Sequence, residues 1–560
     1  MKSITAAIAL LLANTAPATA QDTTLYLGGP IITMDGDTPQ TVEAVVTKGD
    51  RIAFAGSEKQ ARAAAGDGAV VHDLNGATML PGFIDAHSHF TVATLTAGGL
   101  DLRAGAPVTD VDGVMAAIRD YLARTPAQPG RWATVWQFDH ETLAEKRYIT
   151  RAELDAIAPD RPLVVLHVSL HGAVANSAAL KAAGIDETTP VPPGGMMLRD
   201  EAGKLNGVLL EKAMFLLLAK LPQPTAEQKL AALDAAQNAY FAEGYTHAQD
   251  GATQPPDVAF LTSPAARERL KIDLALLPFS TGLDALLAQP ALKFGSYQGH
   301  VKLQGIKFVL DGSVQARTGY FTRDYKRGSP EGHHPWHGEP VLSETDFIVQ
   351  AKKVHDRGWQ LFVHANGDAA IDMAIEGFEA LGITATANRR PIVIHSQFQR
   401  PDQLAAYKQI GVGPAYFSNH TWYWADIHRT NFPDEVVDFI SPFASARAAG
   451  LIASNHSDYS VTPLDTRFML WTSMARVSLA GVVSGEKERL GAYAALQALT
   501  TGPAWQIFEE DRKGRIKPGL LADFVILDQN PLTTPVDGIK DIQVRETIKE
   551  GKSVWSAPPR

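Results

Sequence analysis

Two histidines one residue apart, His87 and His89, follow the apolar lead-in Gly82-Phe83-Ile84-Asp85-Ala86, with Ser88 between them. Side chains along an extended strand alternate faces, so His87, His89 and Asp85 are expected on one side, with Pro81-Gly82 marking a sharp start. Two neutral imidazoles on one face supply half of a divalent-metal site. A lone His-x-His is more often a pair of surface or core histidines. The metal reading therefore needs partners elsewhere in the chain.

Candidate partners stand at the ends of apolar runs: Val363-His364-Ala365-Asn366-Gly367-Asp368, Ile394-His395-Ser396-Gln397 and Asn455-His456-Ser457-Asp458, with Lys307 just before Asp311-Gly312-Ser313. Each alone is weak. A strand-end histidine is ordinarily structural, Lys307 could pair with Asp311, and Asp458 could form a turn or cap a helix.

The elements that would bring them together are eight strand-like runs, at 78–89, 244–249, 272–278, 301–310, 360–365, 392–396, 411–416 and 450–454, interleaved with helical patterns. This alternation predicts an α/β protein, a (β/α)₈ TIM-like barrel, in which the C-terminal strand ends share one open mouth. The first two runs lie about 150 residues apart, too far for an ordinary connection, so an α/β insertion after strand 1 is expected at about 101–240. Its own elements are read at 132–137, 162–168 and a helix near 229–243. Short β-type runs at 24–32, 43–48 and 51–55, and again at 522–528, 544–548 and 553–555, predict a composite β-sandwich domain from 21–79 plus 513–560. The barrel would then span 80–512.

The chain has 560 residues, 45% of them hydrophobic, enough for a large core. Its formal charge of −10 argues against nucleic acid or an acidic membrane surface and for a small-molecule substrate. Residues 1–20 read as a signal peptide, with Lys2, an apolar stretch and Ala18-Thr19-Ala20 before Gln21. Cleavage after Ala20 would deliver a periplasmic or secreted protein with no membrane anchor. The absence of cysteine excludes disulfides, thiolate ligands, a cysteine nucleophile and a lipidated N-terminal cysteine. The oligomeric state, a homo-oligomer included, is left open.

Taken in order, the motif 82–89, the histidines ending runs five and six, and Ser457-Asp458 after run eight resemble the amidohydrolase superfamily. The segments Ser169-Leu170-His171-Gly172-Ala173-Val174-Ala175-Asn176-Ser177, Gly305-Ile306-Lys307-Phe308-Val309-Leu310-Asp311-Gly312-Ser313 and His420-Thr421-Trp422-Tyr423-Trp424 are similar to its type 3 branch, the YtcJ-like proteins that include N-substituted formamide deformylases. The resemblance runs from about Thr24 to Trp555. It implies that His87 and His89 bind one divalent metal, that His364 and His395 bind a second or share the first, and that Lys307 is carbamylated and bridges two ions. An ammonium could not ligate, having no lone pair. One or two ions are implied, zinc being the first expectation and manganese or iron the others.

Such an ion would ionise water near neutrality and polarise a carbonyl, while Asp458 accepts the water proton and returns it to the leaving nitrogen or oxygen. His171, His420 and Arg317 are candidates for orienting substrate. Tyr416, Phe417, Trp422, Tyr423 and Trp424, with Trp136 and Phe138 in the insertion, are either core or an apolar pocket for an aryl or acyl group, for which Trp422 and Tyr423 are the binding candidates. His333-His334-Pro335-Trp336-His337 reads as a lid or surface loop. The expected activity is hydrolysis of a non-peptide C–N bond in an N-acyl amine, formamide, carbamate or cyclic amide. An esterase or lactonase, a non-hydrolytic metal enzyme and a non-catalytic binding or regulatory protein are the rivals.

Overall fold

The structure is a computed structural model that describes residues 23–558 apart from 97–98, 103–107, 128–130, 169–171, 193–194, 223, 290–291 and 330–332. The expected leader at 1–20 and the candidate His171 lie outside the described residues.

Fully buried apolar strands form the centre. Asp273–Pro278, Ile392–His395 and Gly413–Tyr416 are buried along their whole length, as strands are when helices cover both faces of a parallel sheet. One five-stranded sheet runs Tyr297–Gln298, Val301–Leu303, Asp273–Pro278, Tyr245–Thr253, Phe83–Ile84, parallel except for the hairpin at its edge. The other runs Gly305–Val309, Gln360–Ala365, Ile392–His395, Gly413–Tyr416, Ser454–Asn455 and is parallel throughout. A single continuous stretch, interrupted at Gln304, supplies a strand to each sheet, and a parallel bridge from Phe279 to Lys307 joins them there. On the opposite side Ile84 N donates to Leu499 O at 2.9 Å and Asn455 N to Ala498 O at 2.8 Å, so residues 498–499 link the outer strands. The protein is an α/β fold in which these parallel strands point their C-terminal ends the same way.

The expected run 78–89 is two strands in different sheets. Thr78–Pro81 pairs antiparallel with Phe524–Leu527, in a six-stranded sheet built from both ends of the chain. At Gly82 the chain passes so close to Thr246 that a Cβ would sit 2.4 Å from its side chain, and it then enters the parallel sheet at Phe83–Ile84. His87 lies beyond the strand in a bend, and His89 follows it in an isolated antiparallel bridge to Asp250. A second terminal sheet holds Arg51–Gly56, Ala44–Lys48, Thr23–Leu27 and Val70–Asp73. Tyr26, Ile31, Val45, Met79, Phe524 and Ile548 form a shared core between the two, with Tyr26 and Phe524 edge-to-face at 5.4 Å.

Between His89 and Tyr245 the chain builds a further six-stranded sheet, from Leu100–Asp101 through Ala133–Phe138, Leu163–His167, Gly172–Ala175 and Leu205–Glu211 to Gly195–Arg199. It has its own core: Val114, Ile118, Val135 and Val165 pack on one side, Leu166, Leu180 and Leu217 on the other. Asp110 caps its helix Val111–Arg124 by accepting from Gly113 N.

Candidate metal centre

Five imidazoles, a carboxylate and a lysine converge where the parallel strands end. His395 closes Ile392–His395, His364 stands one residue before the end of Gln360–Ala365, and His456 and Asp458 follow Ser454–Asn455. His87 Nε2 lies 3.4 Å from Asp458 Oδ1 and 3.3 Å from Lys307 Nζ, and His89 Nε2 lies 3.4 Å from the same Asp458 oxygen. So the two histidines do converge, by turning rather than by strand alternation. The His87 ring is edge-on to those of His395 and His456, at 5.6 and 5.3 Å, and His395 and His456 are 5.0 Å apart. The backbone is bent to achieve this: His395, Ser396 and Asp458 have φ of +69°, +44° and +49°, a region side chains with a Cβ avoid. Behind His87, Gly251 leaves room for the ring, since a Cβ there would meet it at 2.1 Å.

His364 is edge-on to His395 at 4.6 Å, with its Nε2 3.0 Å from Asn366 Nδ2 and 3.4 Å from Asp311 Oδ1. Asp311 is no partner of Lys307. Its carboxylate accepts from the backbone of Asn366, Gly367 and Tyr320, fastening the turn after the His364 strand.

Burial keeps this cluster poor in positive charge. It depresses His87 and His395 far below the ordinary histidine range, helped by Lys307 beside His87 and by His364 beside His395, and it lowers His456 to about 3. It also brings Lys307 down to about 7 against the pull of Asp458. For Asp458 burial acts upward, but the hydrogen bond and charge of His89, with His456 and Lys307, outweigh it and hold the carboxyl at about 2. The result is neutral imidazoles at His87, His395 and His456 around an ionised carboxylate. Nδ1 of His87 and of His395 and both ring nitrogens of His456 are buried without a hydrogen-bond partner. Unpaired buried polar atoms are costly unless something occupies them. One ligand atom each from His87, His395 and Asp458 lies within 4.8 Å of the others, a donor set that fits a divalent ion.

Two contributors went unassigned in the sequence. His456, two residues before Asp458, repeats the i, i+2 spacing of His87 and His89, a signal present but not used. Asp85 stands behind the ligands: it accepts from Ser457 Oγ at 2.5 Å and Ser457 N at 3.1 Å, tying the turn that carries Asp458 to the one that carries His87. Burial pushes its carboxyl up to about 7, against the hydrogen bonds from Ser457.

The substrate-orienting candidates are dispersed. His420 is buried one layer back, its Nδ1 3.2 Å from His428 Nε2 and its ring against Phe417, which in turn stacks on His456 at 4.7 Å. Arg317 is outside the cluster: its guanidinium donates to Gly328 O and Ser329 O and holds the loop that follows the Lys307 strand. Trp336 Nε1 donates to Arg317 O at 2.7 Å, and Phe321 N to His337 O, so the His333–His337 loop is stitched to that same segment. Trp422 packs on Trp471 and Phe468, at 5.1 and 5.9 Å, and Tyr423 on Phe468 at 5.9 Å, a half-exposed aromatic group. Tyr416 is core, its hydroxyl donating to Gln399.

Parallel strands that deliver imidazoles and a carboxylate to one end define a metal-dependent hydrolase. The amidohydrolase family model Amidohydro_3 matches residues 70–555, and the chain belongs to that family, in its type 3 branch, as an enzyme acting on carbon–nitrogen bonds other than peptide bonds. It is 28% identical over 525 residues to the N-substituted formamide deformylase of Arthrobacter pascens, covering 91% of this chain and 94% of the relative. It is 26% identical over 549 residues to the YtcJ protein of Bacillus subtilis (strain 168), covering 95% and 99%. The fold is shared with an uncharacterized metal-dependent hydrolase from Pyrococcus horikoshii, with a TM-score of 0.75 at 22% identity, covering 92% of this chain and 99% of that one.

Proposed function

We propose that the chain is an exported hydrolase of small N-acyl amines, with N-substituted formamides foremost. The observation that carries this reading is the buried convergence of His87, His395 and Asp458, three donors within reach of one another at the end of a parallel sheet. The deformylase of A. pascens, similar along nearly its whole length, supports the choice of bond.

A divalent ion held by this set, zinc by the chemistry of a histidine-rich site, supplies Lewis acidity and makes a water acidic enough to ionise near neutral pH. The chain's own part is proton handling. Asp458, kept ionised, takes a proton from the attacking water and gives it to the departing nitrogen as the C–N bond breaks. His89, against the same carboxylate oxygen, orients it. Lys307 is the second assignment: it is buried, with its Nζ 3.3 Å from His87 Nε2 and with Asp458 as the carboxylate that acts on it. Lowered to about 7, it offers near neutrality the unprotonated amine that carbamylation by CO₂ consumes, which would turn it into an anionic oxygen donor. Closure of the two parallel sheets into one (β/α)₈ barrel, a composite domain from 21–79 and 513–560, the insertion at about 101–240 and export directed by residues 1–20 complete the proposal. An aryl or acyl group would be taken by the aromatic side chains around Trp422.

The test is formate release from a panel of aryl and alkyl formamides, alongside acetamides, carbamates, esters and lactones, by the metal-loaded mature chain. Turnover of the nitrogen compounds, abolished by Asp458→Asn, is expected. A preference for esters would move the assignment to the oxygen-linked bond, and turnover retained in the variant would remove Asp458 from its role.

A further inference from the structure

We infer a second divalent-cation site, formed by Asp139, His140 and His167 in the inserted sheet. The site stands at the C-terminal ends of the neighbouring parallel strands Ala133–Phe138 and Leu163–His167, where Phe138 is in register with His167. A register shift between Val135 and Phe138, with Gln137 at φ +66°, breaks the alternation of the first strand just before Asp139 and His140. Bulges of this kind re-aim the residues that follow them.

The re-aimed side chains meet the histidine of the adjacent strand. His140 Nδ1 and His167 Nε2 are 3.2 Å apart, Asp139 Oδ1 is 3.9 Å from the same His167 nitrogen, and one ligand atom from each residue lies within 4.8 Å of the others. Two nitrogen donors at the usual bond length of a tetrahedral ion stand about 3.3 Å from each other. The observed spacing needs little adjustment to admit one. The rings are also held in place: His140 stacks on Tyr148 at 4.1 Å and 22°, and Phe138 meets His167 edge-on at 6.2 Å. Rigid donors lose little freedom on binding. The His167 and Asp139 side chains are 12% and 15% exposed, so an ion can reach them while most of the surrounding water is excluded. Two imidazoles and one carboxylate, with no sulfur, select a zinc-class transition ion over calcium or magnesium. A tetrahedral ion would take a fourth ligand beside these three donors.

The competing account is a plain hydrogen bond from one imidazole to the other. A titration separates the two. The full-length chain carrying His87→Ala and His395→Ala, stripped with chelator, is titrated with Zn(II) by calorimetry and with Co(II) by absorption, and its melting temperature is followed with and without zinc. One ion per chain and a zinc-dependent rise in melting temperature are expected. Adding His140→Ala or His167→Gln is expected to abolish both, and Asp139→Asn to weaken binding by roughly 10–100-fold. No ion bound by the double variant, or an ion that survives replacement of His140 and His167 in a folded chain, overturns the site.

Discussion

The two ends of the same parallel strands both bury clusters of ionisable groups, and they treat them in opposite ways. At the N-terminal end Asp273 sits under Lys513 and Lys549, accepts from His300 at 2.8 Å, and shares Lys549 with Asp523 at 3.1 Å, while Lys302 pairs with Glu509. Burial alone would raise Asp273, but the two lysines drive it well below the carboxylate range. Every charge there has a counter-charge. At the C-terminal end His87, His395 and His456 are neutral, and among the described residues Nδ1 of His87 and His395 and both ring nitrogens of His456 have no hydrogen-bond partner. Asp273, His300 and Glu550 also come within metal-binding distance of one another, yet lysine ammonium groups already hold that carboxylate. Paired charges make the lower cluster a fastening between the central strands and the C-terminal segment. The upper cluster instead gathers neutral imidazoles around one carboxylate, the donor set that the proposed metal site requires.

Substitutions that break one cluster should leave the other intact. The largest expected effect is on turnover: Asp458→Asn is expected to lower kcat by roughly 10²–10⁴-fold, the ordinary worth of general acid–base catalysis, with little change in unfolding midpoint. Steady-state kinetics and thermal denaturation on the same sample check both halves. Next is stability at the paired end. Lys302→Met removes the nearest counter-charge of buried Glu509, leaving it Arg512 at 3.4 Å and Lys513 at 3.9 Å, and is expected to cost about 3 kcal/mol in denaturant unfolding, the lower end for a broken buried pair, while the remaining folded enzyme keeps its kcat.

Lys307→Met sharpens the contrast, because Lys307 is five residues further along the same stretch and equally buried. Asp458, the carboxylate it acts on, keeps the hydrogen bond of His89, so the substitution is expected to change stability by less than about 1 kcal/mol, and to lower the metal content at the strand-end cluster, read by elemental analysis. The smallest effect belongs to a half-exposed pair between the terminal sheets. His72 Nε2 lies 3.1 Å from Glu546, whose hydrogen bond raises the histidine pKa against burial. A raised folded pKa adds stability that is complete below the unfolded value of about 6.5 and disappears as pH rises through the folded one. His72→Gln is therefore expected to flatten the pH dependence of the unfolding midpoint just above that value, by less than about 1 kcal/mol.

What the sequence reveals of this molecule follows the range of each interaction. Long apolar runs such as 360–365 and 272–278 are legible because a strand buried on both faces is apolar through its middle, its polar residues Gln360, His364 and Asp273 standing near its ends. The run at 78–89 misleads because the chain changes sheets at Pro81-Gly82, and a two-residue strand such as Phe83–Ile84 has no period to detect. His87, His89, His395 and Asp458 are legible as a set through ordered motifs at strand ends. The parts that stay hidden depend on contacts between remote segments. Asp85 finds Ser457 across 372 residues, Phe417 backs His456, and Arg317 closes its own loop rather than facing the cluster. Asp139 and His167 meet through a bulge that local composition does not announce.

The most direct test of the central claim is metal content measured together with formamide hydrolysis, for the unaltered chain and for the His87→Ala, His395→Ala variant, both purified without chelator. The account predicts that the variant loses the ion of the strand-end cluster and all hydrolysis together while remaining folded. Hydrolysis that persists after that ion is gone would contradict it.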